Sequence, residues 1–220
     1  MPTAAFASEG FLILEGLLAA NECDAVLARL GALDGESGSR DLLSQDWCRE
    51  LAQSLQQHPA IAALLPRAHR AVQCNYFDKS AERNWLVALH QDLSIPVAER
   101  VEATGLSGWS RKQGQLFVQA PRELLEQMVA LRLHLDDCGP QDGPLRVTPA
   151  SHCHGIFTPE EAVSFRDRQG EKNCCVERGG VLLLRPLSLH ASSKSTGRGR
   201  RRVLHFVYGP TNPGFDLRWP

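Results

Sequence analysis

Asn84-Trp-Leu-Val-Ala-Leu-His-Gln-Asp-Leu93 has His90-Gln91-Asp92 at its centre of interest. In an extended strand, side chains two residues apart point to the same face, roughly 7 Å apart along the backbone, so His90 and Asp92 can close on one metal. A helix would need a different spacing. One imidazole and one carboxylate make two-thirds of the 2-His-1-carboxylate facial triad, which leaves positions open on Fe(II). The stretch therefore reads as a strand in a β fold, and the third ligand has to arrive from elsewhere in the chain.

The motif needs support from its surroundings. With 8 His and 25 acidic residues among 220, chance alone gives about one His-x-Asp/Glu pair. The chain has two, the second being His134-Leu135-Asp136. Polar residues on strands are commonly just hydrogen-bonded or solvated.

A chain of this length fits one domain spanning 1–220, and a hydrophobic fraction of 43% can fill its core. A net charge of -1 gives no reason to expect a nucleic-acid or anionic-membrane partner. The seven cysteines are an odd set with one vicinal pair, Cys174-Cys175, and no Cys-x-x-Cys spacing, which argues for reduced thiols and a cytoplasmic setting. Glu9 and Glu15 interrupt the first apolar run, so no secretory signal is expected. No apolar segment approaches the ~20 residues that span a bilayer.

The front of the chain, 1–70, reads as helical support. Phe11-Leu12-Ile13-Leu14 is a short entry strand, and a helix begins near Asn21 with Val26, Leu27, Leu30 and Leu33 on its apolar side. A loop is expected from Gly35 to Gly38, then a helix over 44–57 and an apolar turn over 60–65 closed by Pro66. From 71 to 209 the period changes. Runs at 71–77, 86–90, 131–135, 145–147, 181–184 and 203–208 are short, apolar and separated by turn residues, as in a sandwich or barrel. Asp142-Gly143 has the dipeptide of a hairpin turn between the third and fourth runs. A jelly roll would bring distant strands to one cavity. Two polar segments, 98–123 and 158–173, read as long connections, the second with a short helix over 159–165.

The third ligand has a candidate in Val181-Leu-Leu-Leu-Arg-Pro-Leu-Ser-Leu-His190, an apolar strand that turns polar at its end. Ser188, His190 and Ser192 would share one face. A hairpin over 194–199 would return the next strand beside it, with Arg201 alternating with Val203, His205 and Val207. A guanidinium there can pair bidentately with a carboxylate, although Arg198, Arg200, Arg201 and Arg202 can also be read as a solvated basic turn. Asp136 and His190 are spaced as metal ligands too, and spacing alone does not separate the two pairs. His152, Cys153 and His154 lie too close together for a second metal site and read as a turn near the rim of the site.

Three blocks together carry a resemblance: 84–93, Leu133-His-Leu-Asp-Asp-Cys-Gly-Pro-Gln-Asp-Gly-Pro-Leu-Arg-Val-Thr-Pro-Ala-Ser-His152, and Leu187-Ser-Leu-His-Ala-Ser192. In content and order they resemble the phytanoyl-CoA dioxygenase family, over residues 11–208. The resemblance implies a mainly β fold with N-terminal helices, a double-stranded β-helix or jelly roll. It implies Fe(II) on His90, Asp92 and His190, and 2-oxoglutarate on Arg201, eleven residues after His190, with Asn75 and Ser192 as further co-substrate contacts. It implies a dioxygenase that hydroxylates a small-molecule substrate with O2 while converting 2-oxoglutarate to succinate. It also favours His90-x-Asp92 over the 134–136 pair. The acid at position 92 speaks against a halogenase. The family often has Gly where this chain has Ala150. A non-catalytic metal-holding jelly roll and a zinc hydrolase stay open as alternatives, and the substrate and oligomeric state are not legible.

Overall fold

The computed structural model describes residues 2–31 and 41–220. Leu33 and the loop expected from Gly35 to Gly38 lie outside the described residues. The helices are α1 (Pro2–Glu9), α2 (Ala20–Gly31), α3 (Asp46–Gln57), α4 (Pro59–Ala62), α5 (Arg122–Leu125) and α6 (Pro159–Gln169). The strands are β1 (Phe11–Leu14), β2 (His69–Lys79), β3 (Val87–His90), β4 (Ser94–Val97), β5 (Ser107–Lys112) and β6 (Gln115–Gln119), followed by β7 (Val129–His134), β8 (Leu145–Val147), β9 (Lys172–Cys174), β10 (Val181–Leu184), β11 (His190–Ser192) and β12 (Arg201–Pro210). Among the described residues no helix is long and apolar enough to cross a membrane.

The strands form a five-stranded sheet, β1-β10-β7-β12-β2, and a four-stranded sheet, β3-β11-β8-β9, with a further three-stranded sheet, β4-β6-β5. From β2 onward the chain passes repeatedly between the first two sheets, which is the jelly-roll arrangement. Alternation along β12 explains its layers. Leu204 and Phe206 point outward into a core shared with Val26, Leu30, Cys48 and Leu55 of the helices, while Arg201, His205 and Val207 point inward to a cavity. The Tyr208 hydroxyl donates to Ala52 O at 2.8 Å, tying α3 to this outer face.

Four expectations are corrected. Asp142-Gly143 does not close a hairpin, because β7 and β8 belong to different sheets. Gly143, at φ +63°, instead crosses between sheets against residues 193–195, where a Cβ would meet Ser193 O at 2.5 Å. The run from 181 to 190 is not one strand. It breaks at a turn in which Ser188 N bonds Arg185 O, with Pro186 inside it, so β10 and β11 sit in different sheets and Ser188 leaves the shared face. The connection over 194–199 is likewise no hairpin within one sheet, since β12 pairs with β2 and β7. The segment over 98–123 holds β5 and β6 rather than a plain loop, and 158–173 holds α6, whose Thr158 and Glu161 form a capping box.

Candidate metal centre and its cavity

β3 ends at His90 and β11 begins at His190, and the two residues are register partners across the four-stranded sheet. Their rings lie 4.2 Å apart, centroid to centroid. Asp92 lies two residues beyond the end of the strand, with its backbone N–H bonded to Pro186 O at 2.9 Å. His90 Nε2 lies 3.5 Å from Asp92 Oδ1 and His190 Nε2 3.7 Å from Asp92 Oδ2. The three donor atoms fall within 4.8 Å of one another, the one such three-ligand group among the described residues.

The outer nitrogens settle the ring orientation. His90 Nδ1 is 2.8 Å from Ala88 O and His190 Nδ1 is 2.9 Å from Ser188 O. A carbonyl only accepts, so each Nδ1 carries the proton and each Nε2 presents a lone pair inward. Gln91, between the ligands, donates to Gly155 O and Leu187 O at 2.7 Å and accepts from Phe157 N at 2.9 Å. Its amide fixes the backbone that aims His90 and Asp92.

The electrostatics fit a cation between these atoms. Burial alone would raise the Asp92 carboxyl, but His190, His90 and His205 outweigh it and hold it well below the usual range. Burial pulls His190 down to about 4 against the opposing charge of Asp92, leaving it a neutral ligand. At His90 burial also pulls downward, but the hydrogen bond and charge of Asp92 win and raise it. Asp92 thus draws a proton to His90, and with a cation in that proton's place two imidazoles and an ionised carboxylate are the donor set that Fe(II) takes.

These groups open into a cavity of about 340 Å³ that also holds Asn75, Ser192 and Arg201. All six residues singled out from the sequence therefore meet at one place. Arg201 is buried and donates to Gly143 O and has no partner for its Nε. Ser192 Oγ stands 3.5 Å from Lys79 Nζ, which also donates to Ser193 O at 2.9 Å. Lys79 is itself buried and is pulled down to about 8 by burial and by Arg201. The three-stranded sheet contributes Ile95, Lys112 and Phe117 to the wall, while 158–173 contributes nothing.

The competing pair is accounted for. Asp136 forms a fork with Arg202, at 2.8 and 2.6 Å, and His134 faces the interior apart from it. The basic run 200–202 is only partly solvated: Arg200 forks onto Asp78 at 2.7 and 2.6 Å, and Arg201 turns inward between its neighbours. His152 reaches Ala7 O at 3.1 Å within a turn of 3-10 helix. Residues that the sequence reading passed over are Gln91, Lys79, His205 and Arg132. Arg132 carries a signal, being a cation between apolar residues in the strand Val-Ala-Leu-Arg-Leu-His of β7.

Together these features define a jelly-roll protein with a facial His-Asp-His cluster inside its barrel. The chain belongs to the phytanoyl-CoA dioxygenase (PhyH) family, which it matches over residues 6–203. No curated protein sequence matches it. Among solved structures it resembles EctD from S. alaskensis with bound Fe, with a TM-score of 0.71, 19% identity and coverage of 99% of this chain and 78% of that one. HygX from Streptomyces hygroscopicus with nickel and 2-oxoglutarate bound aligns with a TM-score of 0.67 and 18% identity, over 96% and 86% of the two chains. The non-heme alpha ketoglutarate dependent epimerase SnoN from nogalamycin biosynthesis aligns with a TM-score of 0.69 and 17% identity, over 98% and 84%.

Proposed function

We propose that this chain is a single-domain Fe(II)- and 2-oxoglutarate-dependent oxygenase that hydroxylates a small organic substrate. The observation that carries the reading is the convergence of His90 Nε2, His190 Nε2 and the Asp92 carboxylate on one face of one cavity. His90, Asp92 and His190 hold the metal, and Arg201 receives the far carboxylate of 2-oxoglutarate by a charge-assisted pair. Ser192 and Asn75 line the same path. When bound, iron and 2-oxoglutarate supply the oxygen chemistry, in which one O2 yields succinate, carbon dioxide and one hydroxyl on the substrate. The protein places the reactants and keeps water away through Phe117, Ile95 and Val207. Seven unpaired thiols support a cytoplasmic setting.

The test is succinate formation by Fe(II)-loaded protein with 2-oxoglutarate, O2 and a panel of small substrates, beside the same assay with zinc. Succinate that requires iron, matched one-to-one by hydroxylated product, is expected. Hydrolytic turnover with zinc, or ligand binding without loss of 2-oxoglutarate, overturns the reading in favour of a hydrolase or a binding protein. The likeness to SnoN favours a second outcome of the same site, epimerisation, which shows as succinate with an inverted carbon, no added oxygen, and two electrons per turnover drawn from an added reductant such as ascorbate to reduce the second oxygen atom to water.

A further inference from the structure

Three inward side chains stand in one row across the five-stranded sheet. His205 on β12 has Asn75 of β2 as its register partner on one side and Arg132 of β7 on the other. All three are buried and line the cavity that holds His90, Asp92 and His190. Arg132 Nη1 is 3.0 Å from His205 Nδ1. A guanidinium only donates, so His205 Nδ1 accepts and its own proton sits on Nε2.

The row is unfinished. Arg132 Nε and Asn75 Oδ1 have no hydrogen-bond partner, and among the described residues no carboxylate forms an ion pair with Arg132. Its guanidinium rests 5.2 Å above the Phe77 ring, which orients the fork without neutralising it. Arg132 shares this cavity wall with Arg201 and with His90, Asp92 and His190. A buried guanidinium without a counter-charge is costly, and a planar fork matches a carboxylate bidentately.

We propose that Arg132, supported by His205 and Asn75, forms a second carboxylate-binding subsite beside the metal cluster, separate from Arg201. The assignment rests on the oxygenase reading of the cavity. The carboxylate belongs either to the metal-side end of 2-oxoglutarate or to the substrate, and one set of titrations separates the two sources.

Nickel-loaded wild type, Arg132→Gln and Arg201→Gln are titrated calorimetrically with 2-oxoglutarate, and then, once saturated, with propionate as a plain monocarboxylate. A loss of about tenfold or more in 2-oxoglutarate affinity in Arg132→Gln, at an unchanged melting temperature, assigns the subsite to the co-substrate. Affinity for 2-oxoglutarate held within about twofold, with loss of a propionate site that wild type shows, assigns it to the substrate. No change in either titration overturns the subsite. Should Arg132→Gln fail to fold, Arg132→Lys keeps the charge, loses the fork and is read the same way. If wild type binds neither nickel nor 2-oxoglutarate, the oxygenase reading falls, and propionate binding to wild type and variant still decides the subsite.

Discussion

His90 is ready for a metal because its outer nitrogen is already spent on Ala88 O and its inner one faces Asp92. His134, two residues from an acid in the same way, has neither a free acid nor a facing imidazole, since Asp136 is taken by Arg202. We therefore expect His90→Ala to abolish nickel or iron binding in a calorimetric titration and His134→Ala to leave it in place. The reverse pattern would overturn the assignment. Protons compete for the same lone pair. With the His90 pKa raised by Asp92, metal affinity should begin to fall from above the ordinary imidazole range and keep falling as the pH drops through it, levelling off only at higher pH. A second residue runs against its backbone: Ala150 sits at φ +59°, the left-handed region that favours glycine. Ala150→Gly should stabilise the fold by about 1 kcal/mol, a rise of roughly 2–4 °C in melting temperature. An unchanged or lowered melting point would show that this turn is not strained.

The ligand strands are held from behind. Leu89 and Leu189, next to His90 and His190, pack outward against Phe165 and Ala162 of α6, so this helix bears on the centre without lining the cavity. Phe165→Ala should cost about 3 kcal/mol and weaken metal binding with no ligand changed. Destabilisation with intact metal affinity would show that the strands keep their register unaided. Periodicity made the short strands legible: β8 and β10 coincide with the apolar runs over 145–147 and 181–184, and β12 differs only by extra residues at its ends. What it could not supply was partnership. Val181 to His190 reads as one apolar strand, and only the turn held by Arg185, together with Gly10 accepting from Arg185 N, separates β10 from β11. Asp142-Gly143 misleads for the same reason, because a dipeptide fixes a turn but not the sheet on either side of it. The hairpin of β5 and β6 was hidden by its polar composition, Ser-Gly-Trp-Ser-Arg-Lys, on a half-exposed strand. The His90–Asp92 pair was readable as a candidate because its spacing is local, but preferring it to His134–Asp136 and joining the distant His190 to it rested on the family resemblance. Arg132 stood out only as a cation in an apolar run, since its place beside His205 and Asn75 depends on strands far away in the chain.

Taken whole, the barrel separates its charges. Asp78 and Asp136 serve Arg83, Arg200 and Arg202, while Lys79, Arg132 and Arg201 are buried without an acid partner among the described residues. Arg201 acts on both Lys79 and Arg132 to disfavour their charged forms, so the ligand-free chain carries a standing repulsion in its interior. A dianion that binds only the folded state relieves it. At a hundredfold excess over its dissociation constant such a ligand adds about 2.7 kcal/mol, roughly 5–10 °C for a chain of this size. Nickel with 2-oxoglutarate should therefore raise the melting temperature by that amount, and chelator should remove the gain. The pH dependence has a definite sign. Lys79 is pulled down to about 8 from 10.5, so between those values the unfolded chain binds more protons than the folded one, and stability rises with pH. Below about 8 both states hold the proton and the penalty is complete; above the ordinary lysine range both have lost it. The ligand-free protein should become more stable from pH 8 towards 10, and the 2-oxoglutarate-bound protein should gain less over the same interval because the dianion already offsets the charge. Parallel pH profiles with and without 2-oxoglutarate would mean that the interior cations and the co-substrate do not meet.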